Sequence, residues 1–497
     1  MKKISRPFFS WLKPAIIICW VVLFALLLKR DVFIDTITIK ENQILRQAES
    51  EEYQSIYFKD SKIGHVFSSY SSGPDSSLLL RQSASMKLHV AGTVQDIELE
   101  LLATLATGNI LKDFTFSFQS PFYRMKANGT VKGNSVNYTL ETGTNVIHDS
   151  YTFDNQPLLA TSRRGYLLSE EMKEGEKKKI GWFDPFSLTG KESIIEYRGR
   201  DSILIGGRVH NLHRFTESFA GTRVNSWLND SGVLIKEESP AGFVFIKEPK
   251  FKALSISDGG EEILSAVAVK IKGKMAIPKG KKMQYRLDFP TDLTLDLAGG
   301  RQVFSDSVLT LTRETVPDSA TGPVCSDINT SLAATPYVQS DNEEIQSIAH
   351  DIISTGTNRV DHVRELGLWV YENLEKRPVL GIPDALSTLQ NRQGDCNEHA
   401  ALFAALARSA SIPARIVAGV TYHKSAFYYH AWNEVCLGSQ WISIDTTTNQ
   451  FPADLSHLRL IQGELQEQVR IGGLLGKLSI EPLQEGTKND SPLTETP

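Results

Sequence analysis

Three side chains that can together perform nucleophilic catalysis follow one another in the last quarter of this 497-residue chain. They are the thiol of Cys396, the imidazole of His430 and the carboxylate of Asp445. A thiolate is the nucleophilic form of cysteine, an imidazole can take and return its proton, and a carboxylate can orient the imidazole. Their order predicts a Cys-His-Asp triad, provided that the fold brings the three together.

The sequence around Cys396 predicts that the thiol lies at the start of a helix. Asp395 is a good helix cap, and residues 397–409 are mostly strong helix formers. Backbone N–H groups and the helix dipole then favour a thiolate and can stabilise an oxyanion. Gln390, six positions before the cysteine, is a further oxyanion candidate, although Gln393 or a backbone N–H can serve instead.

The segments that carry His430 and Asp445 have strand character, with a tight turn between them at residues 438–439. A four-residue loop at 436–439 would place His430 directly across from Asp445, whereas a two-residue loop would make them diagonal neighbours. Cβ atoms of cross-strand neighbours on one face lie about 5 Å apart, and those of diagonal neighbours somewhat further. Either register therefore lets the carboxylate orient the imidazole.

The side chains around this pair have functional and structural interpretations. Trp432 and Glu434 alternate onto the face of the predicted catalytic imidazole and can support it. Trp432 is also typical of a packing residue, and Glu434 can simply be solvated. Arg415 is predicted to form a structural ion pair. His399 and His423 compete as bases, but structural or surface roles are favoured for both.

A family resemblance is carried by four segments: GDCNEHAAL at 394–402, IPARIVAG at 412–419, HAWNEV at 430–435 and WISID at 441–445. Together they resemble the transglutaminase-like superfamily, whose bacterial members share a papain-like cysteine core. The resemblance covers about residues 341–460. It implies Cys396, His430 and Asp445 as the triad, an acyl-enzyme thioester and no cofactor.

The resemblance leaves the acceptor open. Acyl transfer to an amine and hydrolysis of an amide or peptide bond are both expected reactions, on a protein or peptide substrate. No metal site is expected, since the sequence has no Cys-x-x-Cys pair and no acidic cluster with calcium-loop spacing. A net charge of -5 without a long basic run argues against nucleic acid as a partner.

The N-terminus predicts a membrane anchor. A basic stretch at 1–13 precedes an uncharged apolar run at 15–28, which Lys29 and Arg30 close. No cleavage site of small residues follows, so residues 1–30 are predicted to stay as a signal anchor or transmembrane helix. The basic end is expected in the cytoplasm. This predicts a single-pass protein of the inner membrane, with the cytoplasmic membrane as a partner and a periplasmic catalytic domain.

Period-two alternation of apolar and polar residues characterises positions 53–315, for example at 97–101, 293–297 and 309–312. Such alternation indicates half-buried antiparallel strands. Residues 227–235 are predicted to form a hairpin around a turn at 229–232. The region is predicted to be one large curved sheet, or two subdomains, similar to the half-barrels that bind lipids or peptides in bacterial envelopes. A spacer or docking role is an equal alternative.

The predicted fold class is therefore α+β, with an N-terminal transmembrane helix, a large antiparallel half-barrel-like domain and a C-terminal papain-like transglutaminase core. The predicted divisions are 1–30 (anchor), 31–52 (connector), 53–315 (β-rich), 316–340 (linker), 341–480 (transglutaminase-like) and 481–497 (disordered tail).

Two questions stay open at the level of the sequence. The four cysteines are Cys19, Cys325, Cys396 and Cys436. Cys325 and Cys436 can pair as a disulfide that pins the linker, or remain free thiols. The leading function is an extracytoplasmic cysteine enzyme. The alternative is an envelope protein that binds a lipid or peptide through its β-domain, with the cysteine domain accessory or inactive.

Overall fold

The computed structural model describes residues 35–36 and 50–483, apart from 91, 107–108, 144, 186–187, 220–221, 256–266, 274, 276–277, 292, 319–324, 326–327 and 354–357. The predicted anchor at 1–30, most of the connector and residues 484–497 lie outside the described residues. Within the described ranges, no helix is long and apolar enough to cross a membrane. The predicted transmembrane helix at 1–30 and the predicted single-pass inner-membrane localisation gain no support from the structure, and neither expectation is retained.

The first sheet contains sixteen strands of the described residues. Their bounds are β1 Asp35–Thr36, β2 Ser50–Phe58, β3 Ser61–Ser72, β4 Leu78–Val90, β5 Thr93–Ala106, β6 Ile110–Gln119, β7 Arg124–Lys132, β8 Ser135–Thr142, β9 Asn145–Thr152, β10 Leu158–Leu159, β11 Lys177–Asp184, β12 Thr189–Ile205, β13 Arg208–Phe219, β14 Thr222–Leu228, β15 Leu234–Glu238 and β16 Phe243–Lys247.

The short strand β10 closes this sheet into a barrel. It pairs in parallel with β11, where Leu158 lies beside Trp182, and antiparallel with β6, where Leu158 lies beside Ile110. The closed ring contains twelve strands, β11–β16, β2–β6 and β10. The predicted open half-barrel is therefore wrong. A two-residue strand is too short to show a period-two pattern, so the closure leaves no signal in the sequence.

The rest of the described chain contains seven α-helices and eleven further strands. The helices are α1 Gly165–Ser169, α2 Lys250–Ala253, α3 Glu343–Ile352, α4 Arg359–Asn373, α5 Ala385–Asn391, α6 Cys396–Ser409 and α7 Leu465–Gln468. The strands are β17 Val269–Lys270, β18 Lys282–Asp288, β19 Gln302–Ser305, β20 Val308–Thr312, β21 Glu375–Lys376, β22 Gln393–Gly394, β23 Ala414–His423, β24 Ala426–Leu437, β25 Gln440–Ile444, β26 His457–Gln462 and β27 Ser479–Leu483.

A second sheet, in the order β17-β24-β23-β26 with β25 beside β24, forms the centre of the C-terminal part. Buried side chains from α3–α6 pack against one face, among them Leu402 and Phe403. The other face packs against a four-stranded sheet, β19-β20-β18-β27, through residues such as Tyr285 and Leu309. The central sheet is thus covered on both sides, and β18–β20 belong to one of the covering layers.

A disulfide joins Cys325 to Cys436 in β24, across 111 positions of sequence. Of the two alternatives left open by the sequence, the structure contains the disulfide. In the loop-entropy model, closing a loop of this length stabilises a fold by roughly 5 kcal/mol. Among the described residues, Cys396 is the free cysteine.

The segment that leads to Cys396 lies against the barrel. The side-chain amide of Gln95 donates to the carbonyl of Pro378 at 3.1 Å, and the hydroxyl of Ser120 donates to the carbonyl of Leu380 at 2.8 Å. The buried carboxylate of Asp384 then caps α5 by accepting from the backbone N–H of Ser387 at 2.7 Å. Barrel and cysteine domain therefore meet directly upstream of the predicted nucleophile.

Candidate active site

Helix α6 places Cys396 at its first helical position, as the sequence predicts. The carboxylate of Asp395 accepts from the backbone N–H of Asn397 at 2.9 Å, and the carboxylate of Glu398 accepts from the backbone N–H of Asp395 at 2.9 Å. This reciprocal arrangement is a capping box, which fixes the start of the helix. Residues 400–407 are almost completely buried. The predicted nucleophile is thus held by a core helix rather than by a mobile loop.

The thiol of Cys396 lies beside the strand that carries His430. The backbone N–H of Ala431, the next residue in β24, faces the sulfur. Burial raises the pKa of the Cys396 thiol well above its ordinary value, and the carboxylates of Asp395 and Asp445 add to the increase, while the Ala431 N–H opposes it. The resting form is therefore the thiol, in contrast to the thiolate expected from the helix dipole alone, and a base must remove the proton.

The hairpin of β24 and β25 has a two-residue loop, which is one of the two possibilities considered from the sequence. Asn433 pairs with Ile444, and Leu437 pairs with Gln440. Asp445 follows the last paired residue of β25 and is a diagonal neighbour of His430. Its Oδ2 lies 3.0 Å from His430 Nε2. This bond leaves Nδ1 as the imidazole nitrogen that does not face Asp445.

Asp445 is completely buried and accepts several hydrogen bonds. Its Oδ1 accepts from the backbone N–H of Thr447 at 2.8 Å, and its Oδ2 accepts from the hydroxyl of Thr448 at 2.5 Å and faces His457 Nε2 at 3.1 Å as well as His430. Burial alone would raise the pKa of Asp445, but the hydrogen bonds from the two histidines hold it well below its ordinary value. The carboxylate is therefore ionised at neutral pH.

His457, in β26, is a site residue that the sequence analysis missed. It is buried, with Nε2 3.1 Å from Asp445 Oδ2 and Nδ1 3.0 Å from Asp454 Oδ1. A ring whose two nitrogens both face carboxylates donates from both, and it is then an imidazolium. Burial lowers the pKa of His457, but the two carboxylates raise it above its ordinary value. Nothing in its local sequence distinguishes this histidine from an isolated core histidine in a strand.

Trp432 packs against both histidines, whose own ring centroids lie 5.8 Å apart. Its ring stacks on that of His430, with centroids 6.1 Å apart and planes at 21°, and meets the ring of His457 edge-on at 5.3 Å. Gly419 pairs with His430 on the neighbouring strand. A Cβ atom at that glycine would lie 2.9 Å from the Trp432 ring and 2.0 Å from the carbonyl oxygen of Leu458. The glycine therefore permits the close approach of β23 and β26 behind the imidazole.

Glu434 lies on the same strand face but makes ion pairs. Its carboxylate accepts from Arg415 Nε and from Arg459 Nη1, each at 2.8 Å. Burial would raise the pKa of Glu434, but the two guanidinium groups lower it. Glu434 therefore links β23, β24 and β26, and Arg415 forms the ion pair that the sequence predicts. No direct contact between Glu434 and His430 is found among the described residues.

The structure does not bring Gln390 to the thiol. Its side chain is exposed on α5, and its amide donates to Glu344 Oε2 at 3.1 Å. His399 is buried in α6, with Nδ1 2.7 Å from the carbonyl oxygen of Asp395, and His423 lies exposed at the end of β23. Backbone N–H groups at the start of α6 therefore stand as the oxyanion candidates.

One cluster of the described residues has the composition of a metal site. Ligand atoms of His430, Asp445 and His457 all lie within 4.8 Å of one another. Two histidines and a carboxylate are a common donor set for transition metals. In this structure, however, both histidine nitrogens are engaged with the same carboxylate oxygen at hydrogen-bonding distance. The hydrogen-bonded network accounts for the arrangement without an ion.

Comparison with known proteins defines the class of this domain. Residues 346–446 match the family model of the transglutaminase-like superfamily. The resemblance seen in the sequence is confirmed for this region, which contains Cys396, His430 and Asp445 but ends before His457. The match covers 101 of the 497 residues. No curated protein matches the chain.

Three solved structures are similar to parts of the chain. A Cytophaga hutchinsonii protein described as a "putative cysteine protease" shares 19% identity, covers 43% of this chain and 81% of its own, and has a TM-score of 0.28. A β-barrel-like protein from Brucella abortus shares 8% identity over 40% and 95%, with a TM-score of 0.31. A "putative protease" from Parabacteroides distasonis shares 10% identity over 67% and 68%, with a TM-score of 0.19.

Proposed function

We propose that this protein is a cysteine enzyme that cleaves an amide bond of a peptide or protein and passes the acyl group to water or to an amine. Cys396 is the nucleophile, His430 the acid and base, and Asp445 the residue that orients the imidazole. The observation that supports this proposal most directly is the 3.0 Å contact between His430 Nε2 and the ionised carboxylate of Asp445. The backbone N–H of the residue after His430 faces the Cys396 sulfur.

The reaction follows from this geometry. His430 Nδ1 takes the thiol proton as the Cys396 sulfur attacks the amide carbonyl, and backbone N–H groups at the start of α6 stabilise the oxyanion. The C–N bond then breaks, and His430 returns the proton to the leaving amine. Water or a second amine, deprotonated by His430, attacks the resulting thioester and releases Cys396 as a thiol. Asp445 keeps the imidazole in the tautomer with its proton on Nε2.

The raised pKa of the Cys396 thiol makes the base essential in this mechanism. A cysteine that is already a thiolate reacts with an alkylating agent even without its histidine, whereas a protonated thiol depends on one. We therefore expect alkylation of Cys396 by iodoacetamide to slow by about tenfold or more at neutral pH in His430→Ala. The disulfide leaves Cys396 and Cys19 as the remaining cysteines, so Cys19→Ala isolates the signal.

The product decides between hydrolysis and transfer. The Cys19→Ala protein is incubated with a peptide library, with and without a primary amine, and new carboxylates or new amides are identified by mass spectrometry. Products that require Cys396, His430 and Asp445 support the proposal, and the amine arm distinguishes the two acceptors. Equal alkylation of wild type and His430→Ala, together with no product in either arm, would overturn it. A chelator added to a parallel sample should leave the product yield unchanged.

A further inference from the structure

The twelve-stranded ring encloses a cavity of about 460 Å³. Its lining residues come from every strand of the ring except β12. Most are apolar, including Leu99, Leu101, Phe116, Leu234 and Phe245. Volumes of several hundred Å³ with apolar walls and a few polar groups are typical of small-molecule sites. The barrel interior is therefore large enough to hold a ligand.

Two hydrogen-bond donors in the cavity wall have no partner within the described part of the chain. They are the side-chain Nε2 of Gln54 and the indole Nε1 of Trp182, in residues that are 6% and 3% exposed. A buried donor without an acceptor costs about 1–3 kcal/mol. Two such donors around one cavity indicate that an acceptor from outside the chain occupies it.

The charge of the wall restricts what that acceptor can be. Of the lining residues, Arg164 is the single cation, and its guanidinium lies 2.7 Å from the carboxylate of Glu237. Asp184 and Glu217 add two further carboxylates. A wall with three carboxylates and one already paired cation repels an anionic head group. A neutral oxygen acceptor suits the two free donors without this repulsion.

We propose that the barrel binds an uncharged amphiphile, an aliphatic chain with an ester or amide carbonyl, with the chain against the apolar wall. The carbonyl accepts from Gln54 Nε2 and Trp182 Nε1. This site is independent of the proposed reaction at Cys396, because none of its lining residues belongs to the cysteine domain.

Three probes with one acyl or alkyl chain separate the head-group chemistries: monomyristoylglycerol, myristate and myristylamine. Binding of each to the full chain is measured by calorimetry below the micelle concentration. We expect the neutral ester to bind most tightly. Gln54→Leu and Trp182→Phe should each weaken it by about three- to tenfold, the usual worth of one hydrogen bond. Stronger binding of myristate or myristylamine, or no binding of any probe, would overturn the proposal.

A pair of neighbouring positions supplies the matched control. Leu101 lines the cavity, whereas Leu102 is 43% exposed on the outer face of the same strand. Leu101→Trp should abolish binding and Leu102→Trp should preserve it. Thermal melts and Cys396 alkylation confirm that each variant is folded. Equal binding by both folded variants would exclude the barrel interior as the site, whereas Cys396→Ala should bind as wild type does.

Discussion

At the scale of single residues, His457 gives the site an additional positioning group. We predict that His457→Gln slows alkylation of Cys396 by about ten- to a hundredfold at neutral pH. Asp445 loses a charge-assisted hydrogen bond, worth about 1.5–3 kcal/mol, and its pKa rises once the buried cation is gone. The acid limb of the pH–rate profile should move to higher pH. His423→Gln removes an exposed histidine and should leave the profile unchanged. An unshifted acid limb in His457→Gln would contradict this role.

The same cluster makes stability depend on pH in a defined direction. Asp445 and Asp454 have lowered pKa values in the folded protein. Their contribution to the free energy of unfolding is therefore present above about pH 4, and it is lost as the pH falls through these lowered pKa values. His457 has a raised pKa in the folded protein. Its contribution to the free energy of unfolding is therefore complete below about pH 6.5, and it is lost as the pH rises through this raised pKa. Urea unfolding at a series of pH values should show wild type losing stability above about pH 6.5. His457→Gln should flatten that decline, and a parallel decline in both proteins would refute the assignment.

The sequence pointed to some of these residues and missed others. The prediction of Cys396, His430 and Asp445 rests on motifs whose local pattern fixes an element. The structure contains both elements, a capped helix for the thiol and a hairpin with a Gly turn for the pair. His457 reaches Asp445 through the pairing of β26 with β23, which is a contact between distant segments. Gln390 was predicted from its closeness to Cys396 in the sequence, and this prediction is wrong. Helix α5 directs its side chain towards Glu344 instead.

At the scale of elements, the residue that caps α5 also connects this helix to other parts of the fold. Asp384 is 1% exposed and, besides the N–H of Ser387, accepts from Gln339 at 2.6 Å and from Asn145 of β9, in the first sheet, at 3.2 Å. We predict that Asp384→Ala lowers the free energy of unfolding by about 2–4 kcal/mol, because the lost cap adds to buried donors left without an acceptor. Asn342→Ala removes the half-buried cap of α3 and should cost about 1 kcal/mol.

Chemical denaturation of the two variants checks this difference. If Asp384→Ala costs no more than Asn342→Ala, the additional bonds from Gln339 and Asn145 contribute nothing measurable to the fold.

Local patterns predicted the elements better than their arrangement. The strand at 97–101, the strand at 309–312 and the hairpin around 229–232 all occur, within β5, β20 and β14–β15. The alternation at 293–297 does not give a strand. Leu293 and Leu297 are buried there, and the backbone N–H of Asp296 donates to the carbonyl of Leu460 at 2.7 Å. Alternation with period two indicates which side chains are buried. A strand forms, however, only where a neighbouring segment supplies hydrogen-bond partners for its backbone.

At the scale of the whole molecule, the domain that contains Cys396 shares its hydrophobic core with strands that precede it in the sequence. The four-stranded sheet β19-β20-β18-β27 takes three strands from before the predicted linker and one from the end of the described chain. The barrel in turn contacts residues 378–384 upstream of the nucleophile helix. Sequence alone could not show this, because the strands at 282–312 have the same alternation as those of the barrel. The limits of the family match are therefore a poor guide to what folds independently.

This sharing predicts different behaviour for two fragments, 267–483 and 341–483, studied under reducing conditions so that the disulfide does not distinguish them. The shorter fragment lacks β18–β20, which bury Met283, Tyr285, Leu287, Leu309 and Leu311 against the central sheet. Each such side chain stabilises by about 1.5–3 kcal/mol, so the loss of roughly 8–15 kcal/mol matches the whole net stability of a typical domain. We expect 267–483 to unfold cooperatively in urea and 341–483 to bind a hydrophobic dye and to show no cooperative transition. A cooperative transition in 341–483, with Cys396 alkylated at the same rate as in 267–483, would show that the covering sheet is dispensable.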